Sequence, residues 1–148
     1  MADKIVSEVS SECLVTRTRR ISRVVTGIYD EELRFFGISS PQFSLLVVIA
    51  RLRSASRAEI GRANLQDRST LTRNLQLMLS QGWIEEVPKG QGRKGHTIAI
   101  TEIGKGLLSE ALPGWRKAQS RAKALFGREG VVAVTAISDG IERAAAEV

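Results

Sequence analysis

Residues 67–82 read Asp67-Arg68-Ser69-Thr70-Leu71-Thr72-Arg73-Asn74-Leu75-Gln76-Leu77-Met78-Leu79-Ser80-Gln81-Gly82. An aspartate at the front can accept the unpaired amides of a first helical turn, and a glycine at the back can take the left-handed conformation that ends a helix. Between them Leu71, Leu75, Met78 and Leu79 recur at helical spacing and form one apolar stripe. Ser69, Arg73 and Gln76 fall on the opposite arc, with Thr70 toward one edge. The segment is expected to be a helix, buried along one side and polar along the other.

Working outward from it, Ser56 with Glu59 is a capping box that opens a short helix to about Ala63. Asn64 and Leu65 form the brief turn that joins the two helices. On the far side, Trp83–Val87 and Thr97–Ile100 are short, partly alternating segments expected to pair as a hairpin. The tip between them, Lys89-Gly90-Gln91-Gly92-Arg93-Lys94-Gly95, has three glycines, three bases and no acid. Its G-x-G-x-x-G spacing is not a nucleotide fingerprint, because such a loop must run from a strand directly into a helix, and here a strand follows. Two short helices, a tight turn and a basic hairpin make a helix-turn-helix with a wing.

That arrangement suits a helix laid in a DNA major groove with its N-terminal half against base edges. Arg73 has the geometry for a bidentate contact to guanine, and Ser69 and Thr70 can reach bases or phosphates. Arg93 and Lys94 on the wing would meet a minor groove or its phosphates. The candidate DNA-contacting residues are Arg68, Ser69, Thr70, Arg73, Asn74, Gln76, Arg93 and Lys94. A merely solvated polar face and a mobile loop are the plainer alternatives.

The remaining sequence reads as helix. One long helix is expected from about Ser10 to Phe36, with Leu14, Ile21, Val24, Val25, Ile28 and Leu33 at helical spacing and Gly37 as its cap. Ser39, Pro41 and Gln42 start another, whose apolar residues cover more than one face and mark it as central. Thr101 caps a further helix to about Lys123, with a kink expected at Pro113-Gly114, and a last helix covers roughly Arg128 to Ala146. The fold class is mainly α with a small β-hairpin wing.

Composition narrows the function. The 148 residues are 43% hydrophobic and 26% charged, which is ordinary globular balance for one subunit. The net charge is +6, and residues 51–95 carry nine basic against four acidic groups, while residues 1–50 carry six of each. A local positive field is what a polyanion needs. One cysteine, Cys13, and one histidine, His96, leave no disulfide and no Cys- or His-rich metal site. No nucleophile–base pair suggests an enzyme, and no cofactor is expected. His96 beside the basic tip suits a structural or phosphate-contact role. The longest apolar run, Phe43 to Ala50, falls short of the ~18 residues that span a bilayer, and no apolar signal core opens the chain. The expected location is the cytoplasm, on the nucleoid when bound to DNA.

The sequence resembles the MarR-type winged-helix transcriptional regulators over nearly its whole length. Asp67 to Arg73 is similar to that family's recognition-helix signature. Gln91-Gly92-Arg93, with Thr101 eight residues beyond the arginine, is similar to its wing running into the next helix, as are Leu52 to Ile60 and Thr101 to Leu108. The pattern departs at Gln91, where the family usually has an aspartate. The resemblance implies a homodimer in which residues 1–37 and 102–148 interleave and residues 38–101 form the winged DNA-binding region. It also implies a pseudo-palindromic operator on double-stranded DNA, repression, and release by a small aromatic effector or an oxidant. Tyr29, Phe43 and Trp115, with Phe35 and Phe36 nearby, are candidates to line a ligand pocket, although aromatics at such spacing commonly serve the core. Cys13 is the candidate redox thiol, with Arg17 one turn along favouring thiolate and Glu12 opposing it. A small buried apolar role is the alternative for Cys13. For the whole chain, the alternatives are a non-regulatory architectural DNA-binding protein and a winged helix devoted to protein contacts.

Overall fold

The structure is a computed structural model that describes residues 1–64 and 66–146. In chain order it has α1 (Ala2–Glu12), α2 (Leu14–Leu33), a 3-10 turn (Arg34–Phe36), α3 (Ser40–Leu52), β1 (Ser54–Ala55) and α4 (Arg57–Ala63). There follow α5 (Arg68–Ser80), β2 (Ile84–Pro88), β3 (His96–Ile100) and α6 (Glu102–Ala146). The chain divides into two compact units, Leu33–Trp115 and a helical unit of Met1–Glu32 with Arg116–Val148.

In the Leu33–Trp115 unit, α3 is the central element. Ser39 caps it with a full capping box, its hydroxyl accepting the Gln42 amide at 3.4 Å while the Gln42 side chain accepts the Ser39 amide at 3.0 Å. Phe43, Leu45, Leu46 and Ile49 are buried, as the many-sided apolar pattern requires. Each contributes about 1.5–3 kcal/mol by leaving water. Ile60 from α4, Leu71, Leu75 and Met78 from α5, and Ile84 and Ile98 from the sheet complete the core.

The sheet is antiparallel in the order β1-β3-β2. Its third strand is a finding the sequence reading missed: Ser54 and Ala55 pair with Ala99 and Ile98. Two residues carry no periodicity, so nothing local marks them. β2 and β3 pair from Ile84↔Ile100 to Pro88↔His96, one residue beyond the expected hairpin ends. Thr101 then links wing and helix: its hydroxyl donates to the Gly82 carbonyl at 2.6 Å and accepts the Gly104 amide at 3.1 Å. Gly104 packs so closely that a Cβ there would collide with the Trp83 carbonyl.

Two helix expectations need correction. Residues 10–36 are not one helix: α1 and α2 break at Cys13, whose ψ of 111° is extended, and α2 ends before the 3-10 turn that Gly37 caps at φ 72°. The expected kink at Pro113-Gly114 is not where α6 departs from helical angles. That departure is at Gly127, φ 67° and ψ 172°. Glycine takes such angles without a Cβ penalty, whereas a proline costs a helix one hydrogen bond without forcing a positive φ.

In the helical unit, Glu32 is buried beside two cations of α6: Lys117 Nζ at 3.0 Å and Arg121 Nη1 at 2.7 Å. Arg121 also reaches Glu31 at 2.8 Å. Hydrogen bonds from Lys117 and then Arg121 hold the Glu32 carboxyl below its ordinary range. The Tyr29 hydroxyl donates to Gln119, and partial burial raises its pKa. Among the described residues, no single helix is long and apolar enough to cross a membrane.

Candidate nucleic-acid interface

The interface is built on α5. Asp67 caps it, accepting the Thr70 amide at 2.9 Å, the Thr70 hydroxyl at 2.6 Å and the Ser69 hydroxyl at 2.7 Å. These bonds hold the Asp67 carboxyl far below the usual carboxylate range, Thr70 contributing most. They also change what the two hydroxyls offer. Their protons go to Asp67, so toward an outside partner Ser69 and Thr70 present lone pairs, not donors.

Leu71, Leu75 and Met78 face the core and Leu79 is half-buried, which turns Arg68, Ser69, Thr72, Arg73 and Gln76 to the exposed side. Asn74 sits differently. It is half-buried, and its amide donates at 3.3 Å to Gln66, which in turn donates to the Pro41 carbonyl at 3.4 Å. Asn74 therefore ties α5 back to the start of α3. The expected turn before α5 includes Leu65, which lies outside the described residues; Asn64 is the C-cap of α4.

A groove of about 540 Å³ runs between α4 and α5, lined by Arg57, Ala58, Gly61, Gln66, Arg68, Leu71, Thr72 and Leu75. Arg57 was not among the sequence candidates. Nothing local marks it, because its place beside Arg68 depends on how two helices cross.

The wing is a hairpin whose tip, residues 89–95, is exposed throughout. Gln91 at φ 59°, Gly92 at 72° and Gly95 at 107° supply its left-handed turn angles. The Lys89 amide donates to the Gly95 carbonyl at 3.0 Å. Arg93 and Lys94 stand at the tip, and His96, exposed, begins β3 opposite Pro88. Among the described residues, none forms an ion pair with Arg68, Arg73, Arg93 or Lys94.

A second basic surface is hidden in the charge balance of residues 1–50, because acids elsewhere in that stretch cancel it. Thr16, Arg19, Arg20 and Arg23 follow i, i+3, i+4, i+7 spacing on α2 and, with Ser22, line an open groove of about 630 Å³.

The ligand and redox candidates fall in both units. Tyr29 and Cys13 belong to the helical unit, and Phe43 and Trp115 to the other. Phe43 is 7% exposed and packs as a core residue, and Trp115 is half-buried. Cys13 stands just before α2, where the Thr16 hydroxyl and amide bond its sulfur and lower its pKa, with Arg19 a smaller influence. Arg17, expected to do this, instead donates to the Ser11 carbonyl.

The profile of the MarR family matches residues 36–95, the span from α3 to the tip of the wing. Among solved structures, Escherichia coli MarR, as a mutant complexed with operator DNA, shares 17% identity and superimposes with a TM-score of 0.78 over 90% of this chain and 96% of its own. A transcriptional regulator of Mycobacterium tuberculosis, MosR, in complex with DNA, shares 31% identity with a TM-score of 0.72, over 93% of this chain and 100% of its own. A probable transcriptional regulator from Pseudomonas aeruginosa shares 14% identity with a TM-score of 0.76, over 88% of this chain and 98% of its own. Among curated proteins none matches. With a relative of 31% identity covered along its whole length, and with the family profile seated on the helix-turn-helix and wing, the chain belongs to the MarR family of transcriptional regulators.

Proposed function

We propose that this protein is a sequence-specific DNA-binding repressor that acts as a homodimer on a pseudo-palindromic operator. The observation that carries the reading is the exposed Arg73 beside Gln76 on the polar side of α5, opposite the buried Leu71, Leu75 and Met78. Arg73 and Gln76 read base edges, the lone pairs of Ser69 and Thr70 accept from base amino groups, Arg68 fixes the register on phosphate, and Arg93 and Lys94 bind the neighbouring minor groove or its phosphates. Asn74 acts through Gln66 by holding the helix in place. MosR and E. coli MarR, both solved with DNA, support the same use of this fold. The chain is a binding protein of the cytoplasm and nucleoid, not an enzyme.

Exposed apolar side chains in the helical unit support dimerisation: Ile5, Val9, Leu14, Val132, Ile137 and Ile141 are all more than half exposed in one copy. Release of the operator follows a small aromatic ligand or an oxidant, with Cys13 as the thiol for the second. Titration of operator and random duplexes, with and without an aromatic acid or mild peroxide, tests the reading. The expected result is a preference for operator of ~10³-fold or more that one of the two effectors abolishes. Equal affinity for all duplexes would mark an architectural protein, and no salt-sensitive binding a protein-contact module.

A further inference from the structure

The wing has few internal restraints. Its tip is exposed and is closed by two backbone hydrogen bonds, Lys89 to Gly95 at 3.0 Å and Arg93 to Gly90 at 3.5 Å. Residues 89–95 include no acid, so nothing within the tip can pair with Arg93. The charges that meet the hairpin lie at its base, on α4. Arg57, the first residue of α4, places Nη2 2.7 Å from Oε1 of Glu86 on β2. Two residues on, the Glu59 carboxyl is held low chiefly by Ser56, and also by the positive charges of Arg62 and Lys89. Lys89 is the residue directly after β2. α4 thus offers a cation to β2 at the base of the hairpin.

We propose that Arg57 with Glu86 braces the wing against α4 and so sets the direction in which Arg93 and Lys94 point. Arg57 and Glu86 are then positioning residues for the wing. Half-exposed pairs of this kind add little to global stability, because water and salt screen them. A hairpin tip is another matter, since it opens at small free energies and a weak tether shifts its average direction. The competing role for Arg57 is direct contact with phosphate, since it lines the groove with Arg68. In that role Glu86 would be a competitor for the guanidinium, not its anchor.

The inference rests on the DNA-binding reading above, and its test separates the two. Wild type, Arg57→Gln, Glu86→Gln and the swap of Arg57→Glu with Glu86→Arg are compared by duplex titration and by amide hydrogen exchange across residues 84–100. Each single variant is expected to weaken binding three- to ten-fold and to speed exchange at the Lys89 amide, with the melting temperature unchanged. The swap is expected to recover most of both. Tighter binding by Glu86→Gln, or weaker binding by Arg57→Gln with exchange unmoved, would overturn the brace in favour of a phosphate contact. Singles that the swap fails to rescue, or that change nothing, would also overturn it. If wild type ignores every duplex, the DNA-binding reading falls while the exchange measurement still decides the brace.

Discussion

Arg73 lies six residues after the cap Asp67 and on the side of α5 away from Leu71 and Leu75, and both facts follow from helical spacing alone. Its guanidinium is planar and carries a fixed fork of donors, which suits the two acceptors of a guanine edge. Replacing Arg73 by Ala is expected to weaken operator binding by ~1–3 kcal/mol and to relax preference at one base position. Binding measured across operators mutated one pair at a time checks this, and an equal loss on every sequence would assign Arg73 to phosphate only. Neighbouring residues were less legible. The sequence placed Ser69 on the outer arc and Thr70 toward its edge, but their hydroxyl protons are committed to Asp67. Asn74 shows a different gap, since its partner Gln66 lies across a turn that periodicity does not describe.

Among the elements, α2 and α6 are joined through Glu32, Lys117 and Arg121. The Glu32 carboxyl titrates below its ordinary value of 4.5 in the folded state, first because of Lys117 and then Arg121. A depressed carboxylate stabilises the fold at every pH above the unfolded value, and loses that contribution as pH falls through the folded one. The melting temperature is therefore expected to hold from neutral pH to about 5 and to drop below about 4. Glu32→Gln should flatten part of that acid limb, Asp67 and Glu59 keeping their shares, and melting curves between pH 3 and 7 would show it. A limb that keeps its full slope would remove Glu32 as a contributor. Cap chemistry made the starts of α3, α4, α5 and α6 legible, because Ser39, Ser56, Asp67 and Thr101 act within one turn of sequence. The break at Cys13 was hidden, since apolar spacing continues across it and only the backbone turns.

For the whole molecule, the proposed two-fold dimer would present two copies of α5 and two wings, so the operator is expected to repeat with that symmetry. Half-sites are expected about one helical turn apart, ~10 base pairs between centres. Inserting about half a turn between them should reduce affinity to that of a single half-site, and a full turn should do less harm. Footprinting on such spaced duplexes checks it; indifference to spacing would mean the copies bind independently. The sequence by itself determined the helix-turn-helix, the hairpin and the outer side of α5, because caps, periodicity and glycine turns are local interactions written in neighbouring residues. Only the tertiary structure decided that Ser54 and Ala55 join the sheet, that Arg57 meets Glu86, and that Glu32 is buried between Lys117 and Arg121. These contacts join residues 29 to 89 positions apart in the chain, and no pattern in a single stretch specifies which distant partner packing will bring within reach.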